Sequence, residues 1–273
     1  MCIRDSHQTG RLPYSFADIY GQSRLAHHFL DQNRHNVNIL LETLNIVMKI
    51  LVVSDIHADV EKILPLLDKV REIEFDVVVC PGDIIDVNIP QTFKPKDIAK
   101  IIIEELRSLE KPLLMVPGNM DGEIVDLLKE EKVSLHGDGV IIEECGFYGF
   151  GGARTPFGTM LEPSEEDLKL GLEMGWSKVK NAKYKVQVTH MPPFNTKLDI
   201  AFSGAHVGSE AIRKFIEQKK PIAAISAHIH EARGVDKLNS TFLMNSGKFT
   251  EGYCGLIEIE KEIVRGKIIN LNV

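Results

Sequence analysis

No run of about eighteen apolar residues occurs anywhere in the 273-residue chain, so no segment reads as a membrane span. Cysteine is scarce: Cys2, Cys80, Cys145 and Cys254 lie far apart and form no CxxC pair. That spacing argues against a zinc–thiolate cluster or a disulfide framework, and a reducing cytoplasm is the expected compartment. Positive charge is also in short supply. The 32 Lys and Arg are outnumbered by 39 Asp and Glu, for a net charge of -7, so no global basic field draws the chain to nucleic acid or to an anionic membrane. Aromatic residues make up only 7%, and no basic–aromatic cluster of the kind that stacks single strands is present. Phosphate-cradling glycine motifs are missing too. There is no GxxxxGK[ST], and Gly149-Phe150-Gly151-Gly152 runs on to Pro156 and not into a helix, so it fails as a dinucleotide fingerprint.

Residues 1–47 differ from the remainder. They hold His7, His27, His28 and His35, and Arg4, Arg11, Arg24 and Arg34 are balanced by Asp5, Asp18, Asp31 and Glu42. The acids argue against a transit peptide, and the lack of an early apolar core argues against a signal peptide. Met48-Lys49-Ile50-Leu51-Val52-Val53, by contrast, looks like a start that runs directly into a strand. The opening Met1-Cys2-Ile3-Arg4-Asp5-Ser6 resembles translated sequencing-adapter sequence. The expectation is that the native protein begins at Met48 and that 1–47 is a non-native or disordered extension left by the gene model. Residues 37–47 read alternatively as an apolar helix.

From Met48 onward strand and helix alternate. Strands are predicted at 49–54, 76–80 and 112–116, with helices at 59–71 (kinked at Pro65), 95–109 and 121–131. Short strands follow at 132–136, 139–144 and 146–150. Ser164 with Asp167 three residues on marks a helix start. Strands at 184–190 and 222–227 flank a helix at 209–219, and 241–245, 254–260 and 263–271 read as a closing meander. No repeat or linker interrupts 48–273, so one domain is expected, an α/β fold with two mixed β-sheets and helices outside.

Polar side chains with metal-ligand chemistry fall where strands end. They are Asp55-Ile56-His57, Gly82-Asp83, Gly118-Asn119-Met120-Asp121, Thr189-His190 and His228-Ile229-His230. Singly, each is as readily a cap or a turn. The His-x-His pair says more, because residues two apart on an extended segment share a face and can enter one site. Together the pattern is hard to assign to chance: of six histidines beyond the leader (His57, His136, His190, His206, His228, His230), four occupy these positions. Carboxylate, imidazole and amide oxygen suit divalent transition metals.

This order and spacing resembles the calcineurin-like metallophosphoesterases, over nearly all of 48–273. The closest likeness is to archaeal and bacterial members of phosphodiesterase type with a GNxD motif, here Gly118–Asp121. Those members also carry a glycine-rich loop, here Gly151–Phe157, and an SGxHVGS stretch, here Ser203–Ser209. The resemblance implies a four-layer αββα sandwich and two divalent ions, Mn2+ foremost, with Fe, Zn, Ni or Co as alternatives. It implies that Asp55, His57, Asp83 and His230 hold one ion and that Asp83, Asn119, His190 and His228 hold the other, Asp83 bridging. Asp83, Asn119, His190 and His228 would then be catalytic, in a hydrolysis of phosphate esters by a water held between the ions.

Two departures stand out. Many members have His after Asn in this motif, as proton donor to the leaving oxygen, where this chain has Met120. Ala227 replaces the usual Gly before His-x-His. Met120 directs the expected substrates towards phosphodiesters and activated phosphomonoesters, small molecules in preference to nucleic acid, because poor leaving groups suffer most without an acid. His206 is a candidate replacement acid, Asp121 a carboxylate orienting a ligand histidine, and Arg154 a contact for substrate phosphate; Arg233 shares that last reading. A nuclease, a protein phosphatase and a catalytically weak metal-binding scaffold of the same fold are the alternatives. A homo-oligomer is compatible with the sequence.

Overall fold

The residues of Met48–Val53 fill opposite sides in alternation, and that alternation sets the layers of the molecule. The computed structural model describes residues 47–86, 89 and 92–272. The expectation for the leader, including the candidate helix at 37–47 up to its last residue, lies outside them.

The chain runs β1 (Met48–Val52), α1 (Val60–Val70), β2 (Val77–Cys80), α2 (Pro95–Arg107), β3 (Leu113–Met115), α3 (Val125–Glu130), β4 (Asp138–Ile142) and β5 (Cys145–Phe150). It continues with α4 (Glu165–Lys178), β6 (Tyr184–Thr189), α5 (Glu210–Lys219), β7 (Ala223–Ser226), β8 (Gly234–Leu238), β9 (Thr241–Asn245), β10 (Tyr253–Glu260) and β11 (Ile263–Asn270). One sheet has the order β11-β10-β1-β2-β3 and the other β4-β5-β6-β7-β9-β8. In the first, β1, β2 and β3 are parallel and β10 antiparallel to β1. In the second, β5, β6, β7 and β9 are parallel.

Met48, Ile50 and Val52 join Val77 and Val79 in a core shared with Phe147, Val186, Val188, Ile225 and Met244 of the second sheet. Leu51, Val53, Val78 and Cys80 turn the other way, onto Ile63, Leu67, Ile102 and Leu106 of α1 and α2. Past Lys49, which reaches out to Glu74, Ile50–Val53 is buried and apolar at every position, as a strand covered on both faces requires. A third core lies outside the second sheet, where Leu168, Leu172, Ile212 and Phe215 pack on Tyr148, Ala224 and Leu243. Three cores between four layers give the αββα arrangement of two mixed sheets flanked by helices.

Local signals explain several elements. Ser164 accepts from Asp167 N while Asp167 accepts from Ser164 N, the reciprocal cap expected at α4. Pro65 lies inside α1 on its exposed side, so the Glu61 carbonyl that loses its partner can turn to water. Other expectations are corrected. Residues 132–136 make only isolated bridges, Ser134 to Met115 and His136 to Gly149. Thr241–Asn245 does not meander with β10 but pairs in parallel with β7. The chain then crosses to the first sheet through Gly247, whose φ of 74° is a left-handed turn. β8 escaped prediction because Gly-Val-Asp-Lys-Leu is a half-exposed edge strand with a weak apolar signal.

Candidate metal centre

The parallel strands of both sheets deliver their carboxyl ends to one place. Asp55 and His57 follow β1, Asp83 follows β2, Asn119 follows β3, His190 follows β6, and His228 and His230 follow β7. Ligand sites of open α/β sheets lie at such strand ends. The turns that carry these side chains hold non-glycine residues in the left-handed region: Asp55 at φ 53°, His57 at 51°, Ala58 at 60°, Asp83 at 54° and His228 at 71°. Such conformations cost on the order of 1 kcal/mol each and persist where the surroundings over-determine them. Here Asp55 N, His57 N and Ala58 N donate to the carbonyls of Gly82, Asp83 and Ile84 at 3.0, 3.0 and 2.9 Å, lacing the first loop along the second.

The second and third loops meet through their glycines. A Cβ on Gly82 would strike the Gly118 backbone, and one on Gly118 would strike the Asp83 carboxylate. Glycine at both positions is what lets the two loops approach this closely. Asp121 then pins both loops from beneath. Fully buried, its carboxylate accepts from Gly118 N at 2.7 Å, Ile84 N at 3.1 Å and Ile85 N at 3.0 Å. Burial and the nearby Asp83 push its pKa up to about 7. Asp121 thus positions backbone, and its hydrogen bonds go to these amides and not to a histidine.

The ligand atoms form two groups. In one, atoms of Asp55, His57 and His230 lie within 4.8 Å of one another. His57 Nε2 is 3.3 Å from His230 Nε2, and His230 Nε2 is 3.2 Å from Asp55 Oδ1. Asp55 Oδ1 and His57 Nδ1 are buried without a hydrogen bond, although His57 Nδ1 lies 3.3 Å from Asp86 Oδ2. A buried carboxylate oxygen that lacks a hydrogen-bond donor and faces two imidazoles fits a divalent cation. Ser54 Oγ donates to Asp55 Oδ2 at 2.8 Å, fixing the carboxylate. Burial pushes the Asp55 pKa up, but His230 bonding and charge more than offset it, so the carboxylate stays ionised. Burial holds His57 below the usual imidazole range, while Asp55 lifts His230 against its own burial.

In the other group, atoms of Asp83, His190 and His228 lie within 4.8 Å. His190 Nε2 is 3.3 Å from Asp83 Oδ2 and 3.0 Å from Asn119 Oδ1, so the amide oxygen belongs here as well. His190 Nδ1 is 2.8 Å from the Pro81 carbonyl, which can only accept; Nδ1 therefore carries a hydrogen, and Nε2 is the nitrogen aimed at the group. Burial lowers the His190 pKa, yet the Asp83 and Asp55 charges outweigh it and carry it to about 9. Asp83, raised by burial, is pulled down to about 2 chiefly by His190. His228 is held at about 4 by burial and by His190. The two groups feel each other: the Asp83 charge acts on His57 of the first, and the Asp55 charge on His190 and His228 of the second.

The two His-x-His side chains part company. His228 sits in the left-handed region and His230 opens a short 3-10 turn, so they serve different groups. The segment is not extended as expected: the reversal at His228 turns the two side chains to separate groups, the division the family resemblance implied. Ala227 is accommodated here, its N–H donating to the His190 carbonyl at 2.9 Å.

The outer candidates are all accounted for. Met120 contributes its backbone N–H, which donates to Asp83 Oδ1 at 2.9 Å. Arg154 is ion-paired with Glu165, which also accepts from Ser209 Oγ and Ala211 N, each at 2.7 Å, so this guanidinium ties the loop to the N-termini of α4 and α5. His206 Nδ1 lies 2.7 Å from the buried Asp199 Oδ1. Arg233 stacks on Tyr253 with its guanidinium carbon 3.9 Å from the ring centre. Sequence reasoning missed Ser54, Pro81, Ser246 and Lys248. Adjacency to a ligand or its strand was the one available signal for the first two.

The geometry has counterparts. Residues 48–232 match the family model described as calcineurin-like phosphoesterase. An uncharacterised protein of Methanocaldococcus jannaschii is 36% identical over 206 residues, covering 72% of this chain and 87% of its own length. Among solved structures, a dimetal phosphatase from Danio rerio aligns with TM-score 0.61 at 13% identity, over 83% of this chain and 99% of that one. A protein of Thermus thermophilus aligns with TM-score 0.59 at 17% identity, over 81% of this chain and 98% of that one. With this match over most of its length, its αββα layers and its candidate ligands at the strand ends, the chain belongs to the calcineurin-like phosphoesterase family.

Proposed function

We propose that the chain is a dinuclear metal-dependent phosphoesterase acting on phosphodiesters or activated phosphomonoesters. The observation that supports this reading is the pair of neighbouring candidate ligand groups, Asp55–His57–His230 and Asp83–His190–His228, with Asp83 as the carboxylate that would be shared. Asp55, His57, Asp83 and His230 would hold one ion and Asp83, Asn119, His190 and His228 the other, with Mn2+ the foremost candidate of the N/O set. Two such ions supply Lewis-acid polarisation of the phosphoryl group and lower the pKa of a water held between them.

The chain's own residues do the rest. Asp121 and the opposed glycines hold Asp83 and Asn119 in register, and the Pro81 carbonyl fixes the His190 tautomer. With the His190 Nδ1–H spent on the Pro81 carbonyl and the remaining nitrogens of His190 and His228 offered to the metal, charge building on the non-bridging phosphate oxygens in an in-line displacement would be met by the ions these residues hold. Met120 has no proton to give, so a leaving oxygen must depart as a stable anion or be protonated by solvent. Aryl and other weakly basic leaving groups are therefore favoured over alkoxides.

Metal analysis with a panel of diesters and monoesters tests this. Two equivalents of divalent metal per chain with ester turnover, both falling sharply in Asp83→Asn, support the reading. Stoichiometric metal without turnover of any ester assigns the chain to the scaffold alternative, and turnover confined to nucleic acid or phosphoprotein assigns it to the nuclease or protein-phosphatase alternatives.

A further inference from the structure

Most basic side chains around the centre are committed elsewhere. Arg154 is neutralised by Glu165, Lys62 by Asp59 at 2.7 Å, and Arg233 is held on the Tyr253 ring. Arg213 bonds the carbonyls of Phe194 and Asn195 and pairs with Glu217. Lys248 is different. It is half-buried, and among the described residues no ion pair or hydrogen bond engages its ammonium.

Its position is fixed by backbone. Lys248 bridges in parallel to Ser54, the residue before Asp55, and Phe249 N donates to the Ser54 carbonyl at 2.9 Å. Ser54 Oγ, which holds Asp55, also meets Ser246 Oγ at 2.9 Å and the Gly247 carbonyl at 3.0 Å. Gly247 turns the chain with φ 74°, and the Arg233 side chain fills the space a Cβ there would need. The ammonium lies close enough to bear on His57, on His230 and on Asp59. It therefore stands at the edge of the Asp55–His57–His230 group.

A cation with no ion pair of its own beside a cation site opposes metal binding, and Asp59, the carboxylate its charge reaches, is already paired with Lys62. The arrangement makes sense when an anion occupies the space between them. Ammonium is a compact donor of three hydrogen bonds suited to a phosphate oxygen. We propose that Lys248 receives the second negative charge of the substrate's phosphoryl group, so that the site selects phosphomonoester dianions with good leaving groups over diester monoanions. This rests on the phosphoesterase reading for its substrate class, while the binding of a phosphate dianion stands independently of turnover. A terminal phosphate carries close to two charges above its second pKa of about 6, a diester one.

The experiment uses the full chain loaded with Mn2+. Inorganic phosphate is titrated calorimetrically, and turnover of p-nitrophenyl phosphate and bis(p-nitrophenyl) phosphate is measured, for wild type, Lys248→Gln, Lys248→Arg and the charge-matched control Lys62→Gln. Lys248→Gln should weaken phosphate affinity and monoester kcat/KM by about tenfold to hundredfold, the worth of one hydrogen bond between charged partners, with diester kcat/KM changed much less. Lys248→Arg should restore most of the loss, Lys62→Gln should match wild type, and metal content should be equal in all four. The proposal is overturned by unchanged phosphate affinity in Lys248→Gln, by no phosphate binding to wild type, by equal losses on both esters, or by loss of metal. If neither ester turns over but phosphate affinity still falls tenfold in Lys248→Gln, the phosphoesterase reading fails and the Lys248 site stands.

Discussion

Loading the second ligand group should expel a proton, and the amount is set by His190. In the metal-free protein Asp83 and Asp55 carry this buried imidazole to about 9, from an ordinary value of 6.5. At pH 7 it is then about 99% protonated, whereas a metal needs the neutral ring. Binding at pH 7 should therefore release about one proton from His190, and a further fraction from His230, which Asp55 also raises. His57 and His228, both held below the usual range, should add almost none. The competition weakens the apparent affinity of this group about 100-fold at pH 7, or about 2.7 kcal/mol, and about tenfold at pH 8. Calorimetry of Mn2+ binding in buffers of different ionisation enthalpy reads the proton count directly as a slope. A second reading comes from stability. Because His190 is raised and Asp83 depressed, the pair stabilises the metal-free fold fully between about pH 4 and about pH 6.5; the contribution is lost as pH rises through about 9, on the order of 3 kcal/mol, and again as pH falls through about 2. Release well below one proton at pH 7, or affinity flat between pH 6.5 and 9, would refute the assignment of His190 as a ligand held by Asp83.

Two further outcomes follow from the same geometry. Gly118→Ala places a methyl group against the Asp83 carboxylate, so both ligand groups should lose affinity by tenfold or more as the shared carboxylate is displaced, read by metal analysis after dialysis; full occupancy would show that the loops can separate. Met120→His supplies a donor beside Asn119 and should raise turnover of alkyl phosphomonoesters relative to aryl diesters by about 10²-fold or more if general acid catalysis is the missing element. An unchanged ratio would show that leaving-group protonation is not the bottleneck.

Much of the site was legible because ligand chemistry sits in the sequence beside the signals that end strands. Val-Val-Ser-Asp, Val-Val-Cys-Pro-Gly-Asp and Leu-Met-Val-Pro-Gly-Asn each spell an apolar strand and a sharp stop, so the local pattern alone places Asp55, Asp83 and Asn119 at strand ends. What could not be read is how distant loops share work. Glu165 neutralises Arg154 across eleven residues, and Asp121 reaches back to Ile84 and Ile85. Neither pairing leaves a trace in local pattern. Lys248 was passed over for the same reason: Asn-Ser-Gly-Lys reads as an ordinary turn until Ser54 is seen beside it. The fold was misread where burial is partial or pairing is non-local. β8 is a half-exposed edge strand, and β9 pairs both with it and, in parallel, with the earlier β7 of the same sheet, where the sequence suggested a meander with β10.

Each ligand group draws on both sheets. Asp55 and His57 meet His230 across the layers, and Asp83 meets His190 and His228. The core between those sheets, with Val52 and Val79 against Val188 and Ile225, is thus also the ruler that sets ligand spacing. A sub-ångström slip of one sheet over the other would leave every strand intact and every side chain present, yet detune both groups together. Substitutions deep in that core, far from any ligand, should therefore register first in metal affinity and only later in melting temperature.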